Sequence, residues 1–207
     1  MRLFTAVYPS AEASAHLDLA LGGVGGAAVA DPGAGLRWVP KEQRHVTLAF
    51  HGEVPDGAAP GFVADLRAEL AQARPFDLVL AGGGSFGGRT LWVGVGEGLE
   101  GLRALSAAAE RAASAAGFRA DDRAGGRPHL TVARAFVPRG RDRVDRGGSR
   151  RPRGRDDVSP LVAWARALAV YRGPAWRVDA VHVVASRLGE GRSGGPLHED
   201  LAVLPLG

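Results

Sequence analysis

Two rhythms alternate along the chain. Some short stretches switch between apolar and polar at every residue, and others repeat apolar positions every three to four residues. Residues 3–9 (LFTAVYP), preceded by Arg2, read as an opening strand stopped by proline. Ser10 stands where a helix cap is needed, with Glu12 in the first turn and Leu17 and Leu21 on one face, so a helix is expected to about Leu21. Residues 22–35 form a Gly/Ala/Pro loop, and Arg37-Trp38-Val39 is a short extended piece before Pro40. Over His45–His51, Val46, Leu48 and Phe50 share one strand face, and His45, Thr47, Ala49 and His51 share the other.

Phe62, Leu66 and Leu70 give residues 60–73 a helical stripe. Phe76–Leu80 and Leu91–Val95 are expected strands joined by the glycine-rich connector AGGGSFGGRT. An Ala-rich helix over 98–116 ends at Gly117. Leu130–Val137 is a strand, and Val158–Val170 is a helix with Ser159-Pro160 as its start. Val178–Ala185 and Leu201–Leu204 close the chain as strands, the last stopped by Pro205. The order is neither strict βαβα alternation nor all-β, which points to an α+β fold with mostly antiparallel sheet. The 207 residues suffice for one domain or two small lobes with a real core.

Composition narrows the chemistry. With 45% apolar and 23% charged residues the chain is globular in character. It has no cysteine, which removes disulfides, thiol nucleophiles, zinc–thiolate sites and iron–sulfur clusters together. No run of 18 apolar residues occurs. Leu3–Val7 is too short for the core of a secretory leader, so a cytoplasmic protein without membrane contact is expected. The pI near 10.5 suggests an acidic partner until the charge is located. Residues 139–155 carry eight Arg against Asp142 and Asp145, a net of +6, which leaves −2 for the rest of a chain with net charge +4. That segment is poor in apolar residues and reads as a flexible loop, within an insertion over 139–157 in a single domain of 1–207. It would hold RNA phosphates if it has a role, and a solvated insertion is the plainer reading.

The chain holds six histidines and only four threonines, and two of those threonines stand two residues after a histidine: His45-Val46-Thr47-Leu48 and His129-Leu130-Thr131-Val132. Residues i and i+2 of a strand share a face, so each motif presents an imidazole beside a hydroxyl. HVTLAFHGEV against HLTVARAFVP reads as an internal duplication. If the two strands lie side by side, two imidazoles and two hydroxyls line one cleft. Imidazoles titrate near neutrality and serve as general base and general acid, while hydroxyls donate to an anion's oxygens. That set suits in-line displacement at a phosphodiester without metal. His45 and His51 lie about 20 Å apart along a strand, too far to share an ion, and no H-E-x-x-H or G-x-S-x-G occurs.

On these motifs the chain resembles the 2H phosphoesterase superfamily, and within it the RNA 2′,3′-cyclic phosphodiesterases, once called 2′-5′ RNA ligases. The matching stretches are RLFTAVYP, RWVPKEQRHVTLAFHGEV, FGGRTLWVGV, RPHLTVAR and ASRLGEGRSGGPLHEDLAVLPL, in the family's order. The departures are the arginine loop and His198, where members often carry an aromatic residue. The resemblance implies a bilobal fold of two pseudo-symmetric antiparallel sheets with flanking helices around a central cleft. It implies a monomer that needs no cofactor or metal and opens an RNA-terminal 2′,3′-cyclic phosphate, or a small cyclic nucleotide, to a 2′-phosphomonoester. His45 would be the general acid and His129 the general base, or the reverse, with Thr47, Thr131 and Arg134 on the phosphate. Strand parity places Arg134 on the face opposite His129, so a long side chain or a twist must bring it round. A nucleotide-binding module of the same fold, or an enzyme for another cyclic or 2′-5′-linked nucleotide including reverse ligation, are the rival readings. Phe50 is expected in the core rather than as a base-stacking platform, Arg44 exposed beside the strand rather than on the phosphate, and Trp38 either stacked on a base or packed at the rim.

Overall fold

The computed structural model describes residues 1–22, 30–31, 35–55, 57–118, 127–135, 160–191 and 195–207. The arginine-rich segment 139–155, expected as a flexible loop within an insertion, lies outside them. The chain runs β1 (Arg2–Val7), α1 (Ala11–Ala20), β2 (Ala30–Asp31), β3 (Leu36–Trp38), a 3-10 turn (Lys41–Gln43), β4 (Val46–Glu53), α2 (Ala58–Leu70), β5 (Phe76–Phe86), β6 (Thr90–Glu97), α3 (Leu99–Ala115), β7 (His129–Ala135), α4 (Pro160–Leu168), β8 (Arg172–Val178), β9 (Ala180–Arg187) and β10 (Leu197–Pro205).

The strands form one hydrogen-bonded path, β10-β9-β1-β4-β7-β6-β5-β8, with β3 added to β7 and β2 to β3. Every described pairing is antiparallel, as the order of elements predicts. The path divides into two four-stranded halves joined at a narrow seam, where β4 and β7 meet through the single pair Val46–Leu130. The predicted bilobal α+β fold is therefore present, with its two sheets continuous across the seam. No helix among the described residues is long and apolar enough to cross a membrane.

Local chemistry accounts for most boundaries. The Ser10 hydroxyl accepts the Ala13 backbone N–H at 3.1 Å and caps α1, whose Leu17 is buried, with Leu21 buried at its C-cap. Phe62, Leu66 and Leu70 of α2 are buried, and α2 packs on α3, which in turn packs on β4. Gly117 adopts φ 85° just beyond α3, the left-handed residue that ends a helix most cheaply. A continuous cluster from Leu3 and Val7 through Phe62 to Leu130, Val132 and Val183 forms the core.

Three expectations are corrected. The glycine run is not a connector: β5 continues through it to Phe86, and the turn occupies only residues 87–89. Those glycines are needed for close approach. A Cβ on Gly83 would stand 2.4 Å from the Leu168 Cβ, and one on Gly84 would stand 2.5 Å from the Trp92 ring. Gly83→Ala is expected to cost about 1–3 kcal/mol by overpacking against α4; urea unfolding measures it, and an unchanged midpoint would contradict the packing. Secondly, β8 is unmarked in the sequence because Gly173 and Pro174 interrupt it, which an edge strand tolerates. Thirdly, β10 starts at Leu197, ahead of the expected Leu201, because His198, Glu199 and Asp200 break the apolar pattern on an edge strand.

Candidate active site

Val46 and Leu130 are both fully buried and face each other across the seam. Their neighbours along each strand must turn to the opposite, cleft-facing side. In an antiparallel pair this sets His45 beside Thr131 and Thr47 beside His129. The duplicated motifs are thus brought together at the centre of the molecule, and the four polar side chains share one face, partly accessible.

Each imidazole is oriented in the same way. His45 donates its Nδ1 hydrogen to the Gln43 carbonyl at 2.7 Å, and His129 donates its own to the Arg127 carbonyl at 3.0 Å. A carbonyl only accepts, so Nδ1 carries a proton and Nε2 is the atom left to work in the cleft. In both cases the partner lies two residues upstream. Gln43 is itself held, its side-chain amide donating to the Pro196 carbonyl at 3.1 Å.

Two strand irregularities, invisible to a period-two reading, set which residues join this face. In the β1–β4 pairing, Thr5 faces Ala49 and Ala6 faces Thr47, so Leu48 is an extra, bulged residue. Leu48 and Ala49 are consequently both buried, Phe50 turns outward, and His51 turns into the core against Phe62 and Phe118. Phe50 is therefore not the core residue expected; it is half-buried against the small cluster of Phe4, Ala6 and Val184, with the Arg2 guanidinium 5.3 Å above it. β7 repeats the device. Leu91 faces Ala133 and Trp92 faces Thr131, leaving Val132 bulged. Val132 and Ala133 are both buried, and Arg134 emerges on the face of His129 and Thr131. The expected placement of Arg134 on the opposite face is thus reversed. Phe50 and Arg134 occupy equivalent places, five residues after their histidines, so the pseudo-symmetric cleft has an apolar half and a cationic half.

The apolar half is floored by Phe4, Ala6 and Val184. Phe4 stacks on His45, ring centroids 4.8 Å apart and 24° between planes. A third histidine, His198 of β10, meets His45 edge-on at 5.4 Å and Phe4 at 5.1 Å. Tyr8 lies 4.8 Å from His182, whose Nδ1 is 3.0 Å from Asp200. His198 is 153 residues from His45, and no local spacing links them; only the β9–β10 register delivers it.

Burial and charge act on these rings together. His45 is held down to about 4, first by burial and then by the nearby charges of His198, Arg134 and His129, against the Gln43 hydrogen bond. His129 is lowered by burial and by Arg134, against its own carbonyl bond. His198 is lowered by burial and Arg134, with Asp200 opposing. Among the described residues, Arg134 is the one charge that acts on all three rings. Burial and the Asp200 charge push the Tyr8 hydroxyl up to about 12.

The remaining candidates are structural. Arg44 is fully buried: Nη1 pairs with Asp18 at 2.6 Å and Nε donates to the Val39 carbonyl at 3.1 Å. It ties α1 to the segment before β4 and is not available to a ligand. Trp38 packs edge-on against Trp164 at 5.1 Å and is buried, so it is neither a base platform nor a rim residue.

The profile of the 2′-5′ RNA ligase superfamily matches residues 26–144. A Geobacillus stearothermophilus protein named RNA 2′,3′-cyclic phosphodiesterase is 41% identical over 103 residues, covering 48% of this chain and 32% of that one. An Aeropyrum pernix protein of the same name is 35% identical over 112 residues, covering 51% and 61% respectively. The chain thus matches between a third and three fifths of these relatives' lengths. The structure of TT0787 from Thermus thermophilus superposes with a TM-score of 0.68 at 25% identity, over 100% of this chain and 98% of that one. The apo structure of LigT from E. coli superposes with 0.65 at 20% identity, over 99% and 96%, and shares the fold.

Proposed function

Because this chain belongs to the 2′-5′ RNA ligase superfamily, we propose that it hydrolyses an RNA-terminal 2′,3′-cyclic phosphate to a 2′-phosphomonoester, without a metal ion and as a single catalytic unit over 1–207. The observation that carries the reading is the pair of imidazoles facing one cleft across the Val46–Leu130 seam, each with Nδ1 tied to a carbonyl and Nε2 left for the reaction.

In this reading His129 takes a proton from water through Nε2 as the water oxygen attacks phosphorus. The phosphorus–O3′ bond breaks, and His45 gives its Nε2 proton to the departing O3′. Thr47 and Thr131 donate hydrogen bonds to the non-bridging oxygens, and Arg134 balances the charge that grows on them. The two rings end with exchanged protonation states and reset through solvent. His45 needs the substrate for its role. The free ring sits near 4, and an anionic phosphate beside it favours the imidazolium.

Assay of a nucleoside 2′,3′-cyclic phosphate with chelator present tests the reading. Expected is the 2′-phosphate as the only product; the 3′-phosphate, or a requirement for added metal, would overturn it. Tight binding without turnover would instead make the protein a nucleotide-binding module. The pH dependence is a separate prediction. Both rings lie below the ordinary histidine value of 6.5 in the free site. Above both values the acid has lost its proton, so kcat/KM should peak below pH 6.5 and fall as pH rises. The bound phosphate raises both rings, so the kcat profile should peak at higher pH. Coincident optima at or above neutrality would contradict the electrostatics.

A further inference from the structure

On the cationic side of the cleft, beyond His129, the sheet carries a feature that the hydrolytic step does not use. Trp92 of β6 faces Thr131 and lies down on the sheet surface. Gly84 on β5 permits this, since a Cβ there would stand 2.5 Å from the indole, and Gly94 lies under the same ring, its Cβ position 3.4 Å away. Phe86 stacks beside Trp92 with centroids 5.2 Å apart and 30° between planes, and it remains 39% exposed. Both rings reach His129, Phe86 at 4.8 Å and Trp92 at 6.4 Å. The Arg127 guanidinium stands 5.9 Å over the indole. The indole Nε1 is buried and has no hydrogen-bond partner among the described residues.

This shelf opens into a depression of about 450 Å³, lined by Gly82, Gly83, Trp92, Pro128, Arg103 and Arg127 among others. Both arginines are exposed, and neither has an ion-pair partner among the described residues. Arg103 lies near the start of α3, which forms the far wall. The arrangement is a planar aromatic platform next to the reacting imidazole, an exposed guanidinium above it, and a second cation farther out.

We propose that this shelf is a subsite for the terminal nucleoside and its 5′-phosphate: the base stacks on Trp92 beneath Arg127, and Arg103 with Arg127 holds the phosphodiester that leads into the rest of the RNA. The inference rests on the proposed hydrolysis at His45 and His129. Aromatic faces accept any base, and guanidinium groups take phosphate oxygens in paired hydrogen bonds. The site would thus read that a cyclic phosphate ends a polynucleotide, with little regard for its sequence.

The test compares a nucleoside 2′,3′-cyclic phosphate with the same molecule carrying a 5′-phosphate. The wild-type protein is expected to favour the 5′-phosphorylated substrate about 10-fold or more in kcat/KM, and Arg103→Ala and Arg103→Glu to bring that ratio towards one. A wild-type ratio near one, or a ratio that survives both substitutions, would overturn the proposal. The corresponding 2′-phosphate products provide a readout without turnover. The 5′-phosphorylated product should quench tryptophan fluorescence and bind more tightly than its 5′-hydroxyl counterpart, and Trp92→Leu should remove the quenching. Quenching that persists in Trp92→Leu would exclude the stacking. Failure to turn over either cyclic substrate would reject the hydrolytic reading, and the binding difference between the two products would still decide the subsite.

Discussion

Replacing His45 or His129 by alanine is expected to lower kcat/KM for a nucleoside 2′,3′-cyclic phosphate by about 10³-fold. That corresponds to about 4 kcal/mol of lost transition-state stabilisation, at about 1.36 kcal/mol per tenfold. Both losses should be large because the two rings act in one step. Without the base the water remains a poor nucleophile, and without the acid the leaving oxygen departs as an alkoxide. Their effects should not add: the double variant should be little worse than either single one, since one missing partner already disables the concerted path. Neither ring belongs to the sheet's packed core. His45 borders the cleft beside Phe4, Tyr8 and His198, and His129 borders it beside Phe86 and Trp92. The melting temperature should therefore change by only a few degrees. Steady-state kinetics with a thermal melt of each variant checks both statements; an unimpaired rate in either single variant would reject the paired mechanism.

Replacing Arg134 by alanine is expected to lower peak kcat/KM by about 10²- to 10³-fold, the scale of losing one preorganised donor to a developing oxyanion. The same substitution should move the pH optimum upward. Arg134 lies close enough to help hold His45, His129 and His198 below their ordinary range. Removing a positive charge favours protonation, so all three should rise. Arg134→Lys should keep the low optimum better than the peak rate, because it retains the charge and loses the two-pronged hydrogen bonding. A profile recorded on the three proteins separates the effects. A reduced rate with an unmoved optimum would mean that Arg134 does not face the imidazoles, contrary to the bulge at Val132.

Arg134 also marks how far strand parity can be read. Counting residues from His129 sends it to the wrong face, and counting from His45 sends Phe50 into the core. Each count fails at the same place, three residues after the histidine, where Leu48 and Val132 are bulged against β1 and β6. A bulge is a property of two strands and needs both registers to be seen. Arg44 fails for a related reason. An arginine beside a strand is ordinarily exposed, and its burial depends on Asp18, which a separate helix brings within 2.6 Å. The extent of β5 was hidden because glycine runs signal turns, while here the missing Cβ atoms admit Leu168 and the Trp92 ring.

The elements with strong local signals were legible from the residues alone: the Ser10-capped helix, the Phe62-Leu66-Leu70 stripe, the Gly117 stop and the α+β order. So were the two histidine–threonine pairs, because a polar pair repeated on two apolar strands is costly to bury without a purpose. These features depend on contacts within a few positions, or on a two-residue period that any strand imposes. The tertiary structure decided what those pairs meet. It set them on one face across a single backbone pair, turned Phe50 and Arg134 to opposite halves of the cleft, delivered His198 to His45, and laid Trp92 beside His129. Each of these is a relation between segments tens of residues apart, fixed by sheet register and by packing on the core, and no local pattern of side chains encodes a register by itself.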